Sequence, residues 1–295
     1  MRLVDSHAHL QADRFAGDAV EVLAAAREAG VVRLLVPGWD VTSTRAAIEF
    51  ARTTGVDASA GIHPHHVAEA TEATWQEVTE LARHPAVVAV GETGLDYDRD
   101  FAPRDSQLAN LRRHLELALE TAKPVILHCR SKPHERVAQD DLLRELAAAR
   151  VDGPAFRERF GSRPPALLHS VSGAVDYAER ALALGLAISI SGLCFRRREE
   201  STAQVARLVP EDRLLVETDS PYLPAPGAPR RRNEPRYVEI TARWVAERRQ
   251  IDPDALGEQL VATYDRIFGG AASAALGARR TLRDCSRSDA GPRAP

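Results

Sequence analysis

Short apolar runs alternate with amphipathic stretches along the whole chain. Eight runs are strand candidates, at residues 3–5, 33–37, 58–62, 87–91, 124–128, 166–169, 186–190 and 214–217. Continuous apolar runs of about four to eight residues mark strands buried on both faces. The stretches between them carry helical spacing of apolar positions, over 19–29, 44–54, 74–83, 104–121, 139–149, 174–184 and 201–208. Two more helical stretches, 235–248 and 253–268, follow the last strand. Strands that alternate with helices predict a parallel sheet, because parallel neighbours need a crossover between them. Eight such units in 295 residues predict a (β/α)8 TIM barrel. The alternative, a doubly wound open sheet, would gather its polar site at one switch point.

The polar residues favour the barrel, because six of the runs end in groups that bind metals. These are Leu3-Val4-Asp5-Ser6-His7-Ala8-His9, Ser59-Ala60-Gly61-Ile62-His63-Pro64, the run 87–91 followed by Glu92, Val125-Ile126-Leu127-His128, Leu167-Leu168-His169 and Leu214-Leu215-Val216-Glu217-Thr218-Asp219. They are spread over the chain, and only a barrel brings all those strand ends to one mouth.

His7 and His9 stand two apart, so in a strand both imidazoles face the same side and reach one cation. Glu92 follows a fully apolar run. A buried carboxylate needs a partner or a cation, and its two oxygens suit it to bridge two metals. His128 and His169 end matching runs. Glu217 and Asp219 share a face, so one can hold a cation while taking a proton from water that the cation has acidified to a pKa near ~7. His63 is read as a general acid or substrate contact. No role is assigned to His65 or His66 beyond the following proline, and Cys129 is read as packing.

Composition sets the context. No run approaches the ~18 apolar residues of a membrane span, and no basic-then-apolar leader opens the chain, so the expected location is cytoplasmic with no membrane association. The three cysteines form neither a CxxC nor a paired framework. A net charge of −3 argues against a bulk duplex binder but allows a local basic mouth. All but two of the 39 basic residues are arginine. Arg196-Arg197-Arg198 and Arg230-Arg231-Arg232 follow the seventh and eighth strand candidates. Guanidinium groups suit phosphate, so Arg196, Arg232 and Arg130 are candidate substrate contacts. The segment 131–165 exceeds a usual crossover and is read as an inserted loop at the mouth of a single domain spanning 1–270. From 271 to 295 the periodicity fades, and a disordered tail is expected.

The motifs Asp5-Ser6-His7-Ala8-His9-Leu10, Gly61-Ile62-His63-Pro64, Gly91-Glu92-Thr93-Gly94-Leu95-Asp96-Tyr97, Lys123-Pro124-Val125-Ile126-Leu127-His128 and Val216-Glu217-Thr218-Asp219-Ser220-Pro221-Tyr222-Leu223 resemble the TatD family of metal-dependent hydrolases, among the amidohydrolase-like barrels. Arg232-Asn233-Glu234-Pro235 is similar too, and the likeness runs from about Arg2 to Phe268. The resemblance implies one or two divalent cations (Mg2+, Mn2+ or Zn2+) held by His7, His9, Glu92, His128, His169 and Asp219, with Glu92 bridging. Many related amidohydrolases bridge their metals with a carboxylated lysine; here neither Lys123 nor Lys132 ends a matching strand, which supports the glutamate bridge that the resemblance implies. The implied activity is phosphodiester hydrolysis, as a 3'-5' exonuclease on single-stranded DNA or a broader DNase. The chain departs from the family where His169-Ser170-Val171 replaces His-Cys-Phe. Few aromatic residues are on hand to stack bases, so modest, salt-sensitive nucleic-acid affinity is expected. The rival reading is an ester, lactone or amide hydrolase using the same site. A third, a binding or scaffold protein with a vestigial site, is disfavoured because every expected ligand is present.

Overall fold

Eight strands form one sheet in which each pairs in parallel with the next in sequence. They are β1 (Leu3–Asp5), β2 (Val31–Val36), β3 (Asp57–Ala60), β4 (Val87–Asp96), β5 (Val125–Arg130), β6 (Ala166–Leu168), β7 (Ala187–Ile190) and β8 (Leu214–Val216). The structure, a computed structural model, describes residues 1–196 and 199–269. The tail expected over 271–295 and the Arg197–Arg198 pair lie outside the described residues.

The sheet closes beyond β1 and β8. Ser6 N–H donates to the Val216 carbonyl at 3.1 Å, Asp219 N–H to His7 at 2.9 Å and His9 N–H to Ser220 at 2.8 Å. A parallel bridge joins Ala8 and Ser220. The predicted barrel therefore forms, and its seam runs through the segments that carry His7, His9 and Asp219.

Helices lie between the strands: α1 (Ala19–Glu28), α2 (Val41–Thr54), α3 (Glu72–Leu81), α4 (Arg104–Thr121), α5 (Val137–Ala148), α6 (Pro154–Phe160), α7 (Val175–Ala183) and α8 (Glu199–Leu208). Two more, α9 (Val238–Arg249) and α10 (Pro253–Phe268), follow β8. The strands Leu3–Val4, Val125–Leu127 and Leu214–Val216 are essentially inaccessible to solvent, as expected where helices cover a parallel sheet.

Two expectations change. First, β4 does not stop at Gly91 but runs on to Asp96, because residues 93–96 pair with 127–130 of β5. The apolar-run signal ends there because the rest of the strand is mixed, with Glu92, Thr93 and Asp96 around a single core residue, Leu95. Second, only the start of the segment 131–165 is a loop at the mouth, where Ser131, Pro133 and Glu135 line a cavity with His128. The remainder holds α5 and α6, and Phe156 and Phe160 of α6 are buried. Arg159 donates to the carbonyls of Leu119 and Glu120 at 2.7 and 3.0 Å, which fixes α6 at the C-terminal end of α4. That is the end of the barrel opposite the mouth, so the extra length braces the scaffold.

β4 has a register shift between Val90 and Thr93. A bulge re-aims side chains and is common beside sites. Gly91, at φ +122°, has no room for a side chain: a Cβ would lie 2.7 Å from the Ile126 carbonyl oxygen. A Cβ on Gly61 would come within 2.4 Å of Gly91 itself. The backbone of β4 and the segment leaving β3 thus touch directly under Glu92.

The face that α4 turns inward is not wholly apolar. Asn110 donates to the Ile62 carbonyl at 2.7 Å and to Thr93 at 3.0 Å. Ile62 N–H donates to His114 Nε2 at 3.0 Å, and His114 Nδ1 donates to the Asn110 carbonyl at 2.8 Å. These partners require a neutral ring with its proton on Nδ1, and burial pushes the His114 pKa down to about 4. An unfolded histidine titrates near 6.5, so the unfolded chain takes up the proton first as pH falls. The contribution of this group is therefore complete above pH ~6.5 and is lost as pH falls toward about 4. The unfolding free-energy gap between wild type and His114→Asn, from urea transitions, is expected to narrow by about 2 kcal/mol from pH 7 to pH 4.5. A constant gap would mean the ring is not held neutral.

Candidate metal centre

Seven of the side chains singled out meet at the C-terminal mouth: His7 and His9 beyond β1, His63 beyond β3, Glu92 on β4, His128 on β5, His169 beyond β6 and Asp219 beyond β8. Glu92 is the hub. Its Oε2 lies 3.2 Å from His7 Nε2. Its Oε1 lies 3.0 Å from His169 Nε2, 3.2 Å from His128 Nδ1 and 3.4 Å from His63 Nε2. Asp219 Oδ1 lies 3.3 Å from His9 Nε2 and 3.9 Å from His7 Nε2. The rings of His7 and His169 stack at 4.1 Å.

These contacts are close without being well-formed hydrogen bonds. Both nitrogens of His7 and the Nδ1 of His9 are buried with no hydrogen-bond partner. Unpaired buried nitrogens are costly. Donor atoms of His7, His9 and Glu92, of His7, His169 and Asp219, and of Glu92, His128 and His169 lie close enough to share an ion. The fit to divalent cations is good: imidazole and carboxylate are the donor mix that zinc or manganese accepts, and cations would satisfy the orphaned nitrogens.

The electrostatics agree. Burial alone would raise the Glu92 pKa, but the imidazoles of His169, His63 and His7 outweigh it and hold the carboxyl well below its usual range. Burial likewise opposes charge on His169, yet Glu92 and Glu217 hold its pKa well above the ordinary value. His7 is pushed down, first by burial and then by His169. For Asp219, burial is outweighed by the close imidazole of His9, with His7 and His169 adding to it, and the pKa falls.

Three expected roles change with the geometry. Burial pushes His63 down to about 3, and its Nδ1 accepts the His65 N–H at 3.1 Å. The proton therefore sits on Nε2, which makes a neutral hydrogen-bond donor; a ring with so low a pKa is not poised as a general acid. Glu217 is fully buried and bonds His169 Nδ1 at 3.2 Å. It sits beneath the mouth and orients a ring, so it is not placed to relay protons to substrate. Arg232 is tied to Asp18 at 2.7 Å and to Glu234 at 3.0 Å, linking the β8 loop to α1 rather than offering a free guanidinium. Arg130 pairs with Asp98 at 2.6 Å. With the exposed Arg196 it lines a cavity of ≈ 430 Å³ that opens from His128, His169 and Asp219.

Other functional residues carried little signal. Asp96, at the end of β4, receives His65 Nε2 at 2.7 Å and faces His128 Nε2 at 3.3 Å. Burial is outweighed by His128 and His65, so its pKa lies far below the usual carboxylate range. The i, i+4 relation to Glu92 in a strand was the available hint. Asp5 accepts Thr218 N–H at 2.9 Å and Thr218 Oγ1–H at 2.6 Å, and Asn233 Nδ2 donates to the carbonyls of Thr218 and Tyr222 at 3.0 and 2.8 Å. Together they pin the loop carrying Asp219, which sits at φ +54°.

A (β/α)8 barrel with buried histidines and carboxylates converging at its mouth defines the class of metal-dependent hydrolases. The chain belongs to the TatD related DNase family, whose match spans residues 4–269. It is 36% identical over 273 residues to the 3'-5' ssDNA/RNA exonuclease TatD of Erwinia billingiae, covering 90% of this chain and 98% of that one. It is 31% identical to the uncharacterized metal-dependent hydrolase YabD of Bacillus subtilis, over 90% of this chain and 98% of that one. Its fold matches the crystal structure of YjjV, a TatD homologue from Escherichia coli, with a TM-score of 0.78 and 28% identity, over 91% of this chain and 98% of that chain. The relatives indicate an enzyme acting on phosphodiester bonds.

Carboxylates that orient ligand imidazoles tune metal affinity by roughly 10- to 100-fold. Replacing Asp96 by Asn is expected to weaken Mn2+ binding by about that factor, measured by calorimetric titration. Unchanged affinity would remove Asp96 from the support of His128.

Proposed function

We propose that this protein removes nucleotides from the 3' end of single-stranded nucleic acid, using two divalent cations at the barrel mouth. The observation that carries the reading is the convergence of His7, His9, His128, His169 and Asp219 on the buried Glu92, with His7 and His9 nitrogens left unpaired. His7, His9 and Asp219 would hold one cation, and His128 and His169 the other. Glu92 would bridge them, its Oε2 toward His7 and its Oε1 toward His128 and His169. Cations of this kind supply Lewis-acid stabilisation of the phosphate and make water acidic enough to attack near neutral pH.

The protein's own groups do the rest. Asp219, kept ionised, accepts the proton of the attacking water on the oxygen turned away from His9. His63, whose Nε2 faces Glu92 Oε1 at 3.4 Å, helps to hold that carboxylate in place. Glu217 and Asp96 keep His169 and His128 in register. Arg130 and Arg196, at the wall of the cavity, hold the flanking phosphates. A single strand enters such a mouth without the unpairing that a duplex end requires.

The test is cleavage of end-labelled single-stranded DNA and RNA by metal-reconstituted protein. Stepwise shortening from the 3' end is expected, and Asp219→Asn is expected to lower the rate by about 10²- to 10⁴-fold. No shortening with Mg2+, Mn2+ or Zn2+ would overturn the reading in favour of a small ester, lactone or amide hydrolase. Equal rates for both proteins would remove Asp219 from the reaction.

A further inference from the structure

Large apolar side chains exposed to water are few among the described residues: Val20, Val32, Val137, Phe101 and Tyr222. Both aromatic members lie against histidines of the site. The Tyr222 ring is 49% exposed and meets His9 edge-on, with centroids 5.8 Å apart. The Phe101 ring is 60% exposed and meets His65 edge-on at 4.8 Å. His9 is the neighbour of Asp219, whereas His65 neighbours His128 at 6.1 Å between centroids. The two rings therefore stand at opposite ends of the ligand cluster.

Their loops are held firmly, which argues against chance exposure. Asn233 fastens the carbonyl of Tyr222, and Tyr222 N–H donates to Asp219 at 2.8 Å. On the other side Asp96 accepts Arg99 N–H at 3.0 Å, and the buried Gln107 donates to the Ala102 carbonyl at 2.9 Å. Phe101 lies between those two anchors and is left in water. The guanidinium of Arg14 lies 5.5 Å over the Tyr222 ring, which puts a cation beside an aromatic face. That pairing matches a nucleotide, with a base for the ring and a phosphate for the arginine.

We propose that Tyr222 and Phe101 are base-stacking platforms that receive the two nucleobases flanking the scissile phosphate of a single strand. The proposal rests on the nuclease reading above and adds to it how the strand is held. Stacking tolerates any base, because every base has a π-face. It also gives the site a preference for unpaired ends, since a base in a duplex has no free face to offer. The few aromatic residues in the composition are thus placed where they count.

Stacking can be separated from catalysis by a cycle that removes the ring and the base in turn. The ligand is a short fluorescein-labelled oligothymidylate with phosphorothioate linkages, with a second strand carrying tetrahydrofuran spacers in place of its two 3'-terminal nucleosides. Fluorescence anisotropy with the full-length protein reads the affinity. Tyr222→Ala and Phe101→Ala are each expected to weaken the complete strand about tenfold, with a much smaller effect on the spacer strand. Tyr222→Phe and Phe101→Trp are expected to keep the affinity. Equal losses on both strands would overturn the stacking assignment while leaving the nuclease reading in place. Failure of the wild type to bind either strand would overturn both. Unchanged thermal melting of each variant shows that a loss of binding is not a loss of fold.

Discussion

Everything at the mouth of this barrel answers to one buried carboxylate. Glu92 is almost inaccessible to water, and an ion in such a place costs several kcal/mol unless opposite charge and hydrogen bonds surround it. Four imidazoles approach its two oxygens within 3.4 Å. They come from four different strand ends. The bulge in β4 and the side-chain-free contact of Gly61 with Gly91 let those ends draw near enough. Rings that must serve a common centre leave some nitrogens unpaired, and that deficit distinguishes the cluster from a structural hydrogen-bond network.

A second set of polar residues binds nothing itself but settles where the first set stands. Asn110 and His114 fasten both polar groups of Ile62, one residue before His63. Asp5 and Asn233 fix the loop of Asp219 from two sides. Glu217 orients His169 from below, and Asp96 joins His65 to His128. Each is largely or wholly buried and hydrogen-bonded, so the site inherits the rigidity of the core. A displaced ligand would have to break several such bonds, not one.

The strand ends were legible in the sequence because two simple rules coincide there: an apolar run must be buried, and a metal-binding residue at its end must face the opening. That sufficed for the barrel and for His7, His9, Glu92, His128, His169 and Asp219 as neighbours. It failed where a residue's partner lies far away in sequence. Glu217 and Asp219 stand two apart as a strand pair would, yet β8 ends at Val216, so one sinks beneath His169 while the other reaches the mouth beside His9. Asp96 sits past the end of the apolar run and was hidden by it. Arg232 reads as a free cation until Asp18, 214 residues away, is found beside it. The segment holding α6 looked like a mouth loop because length alone does not tell which end of a barrel an insertion joins.

The seam between β1 and the chain beyond β8 has a consequence for biosynthesis. Asp5 and Thr218 are 213 residues apart in sequence, and closure of so long a loop must precede the meeting of His7 and His9 with Asp219. Such distant pairings form late and slowly. A nascent chain still short of its eighth strand has no complete ligand set, however well its first seven units have folded. The protein is thus mute while it is being made, and a hydrolytic centre comes into being only when the two ends of the sheet find each other.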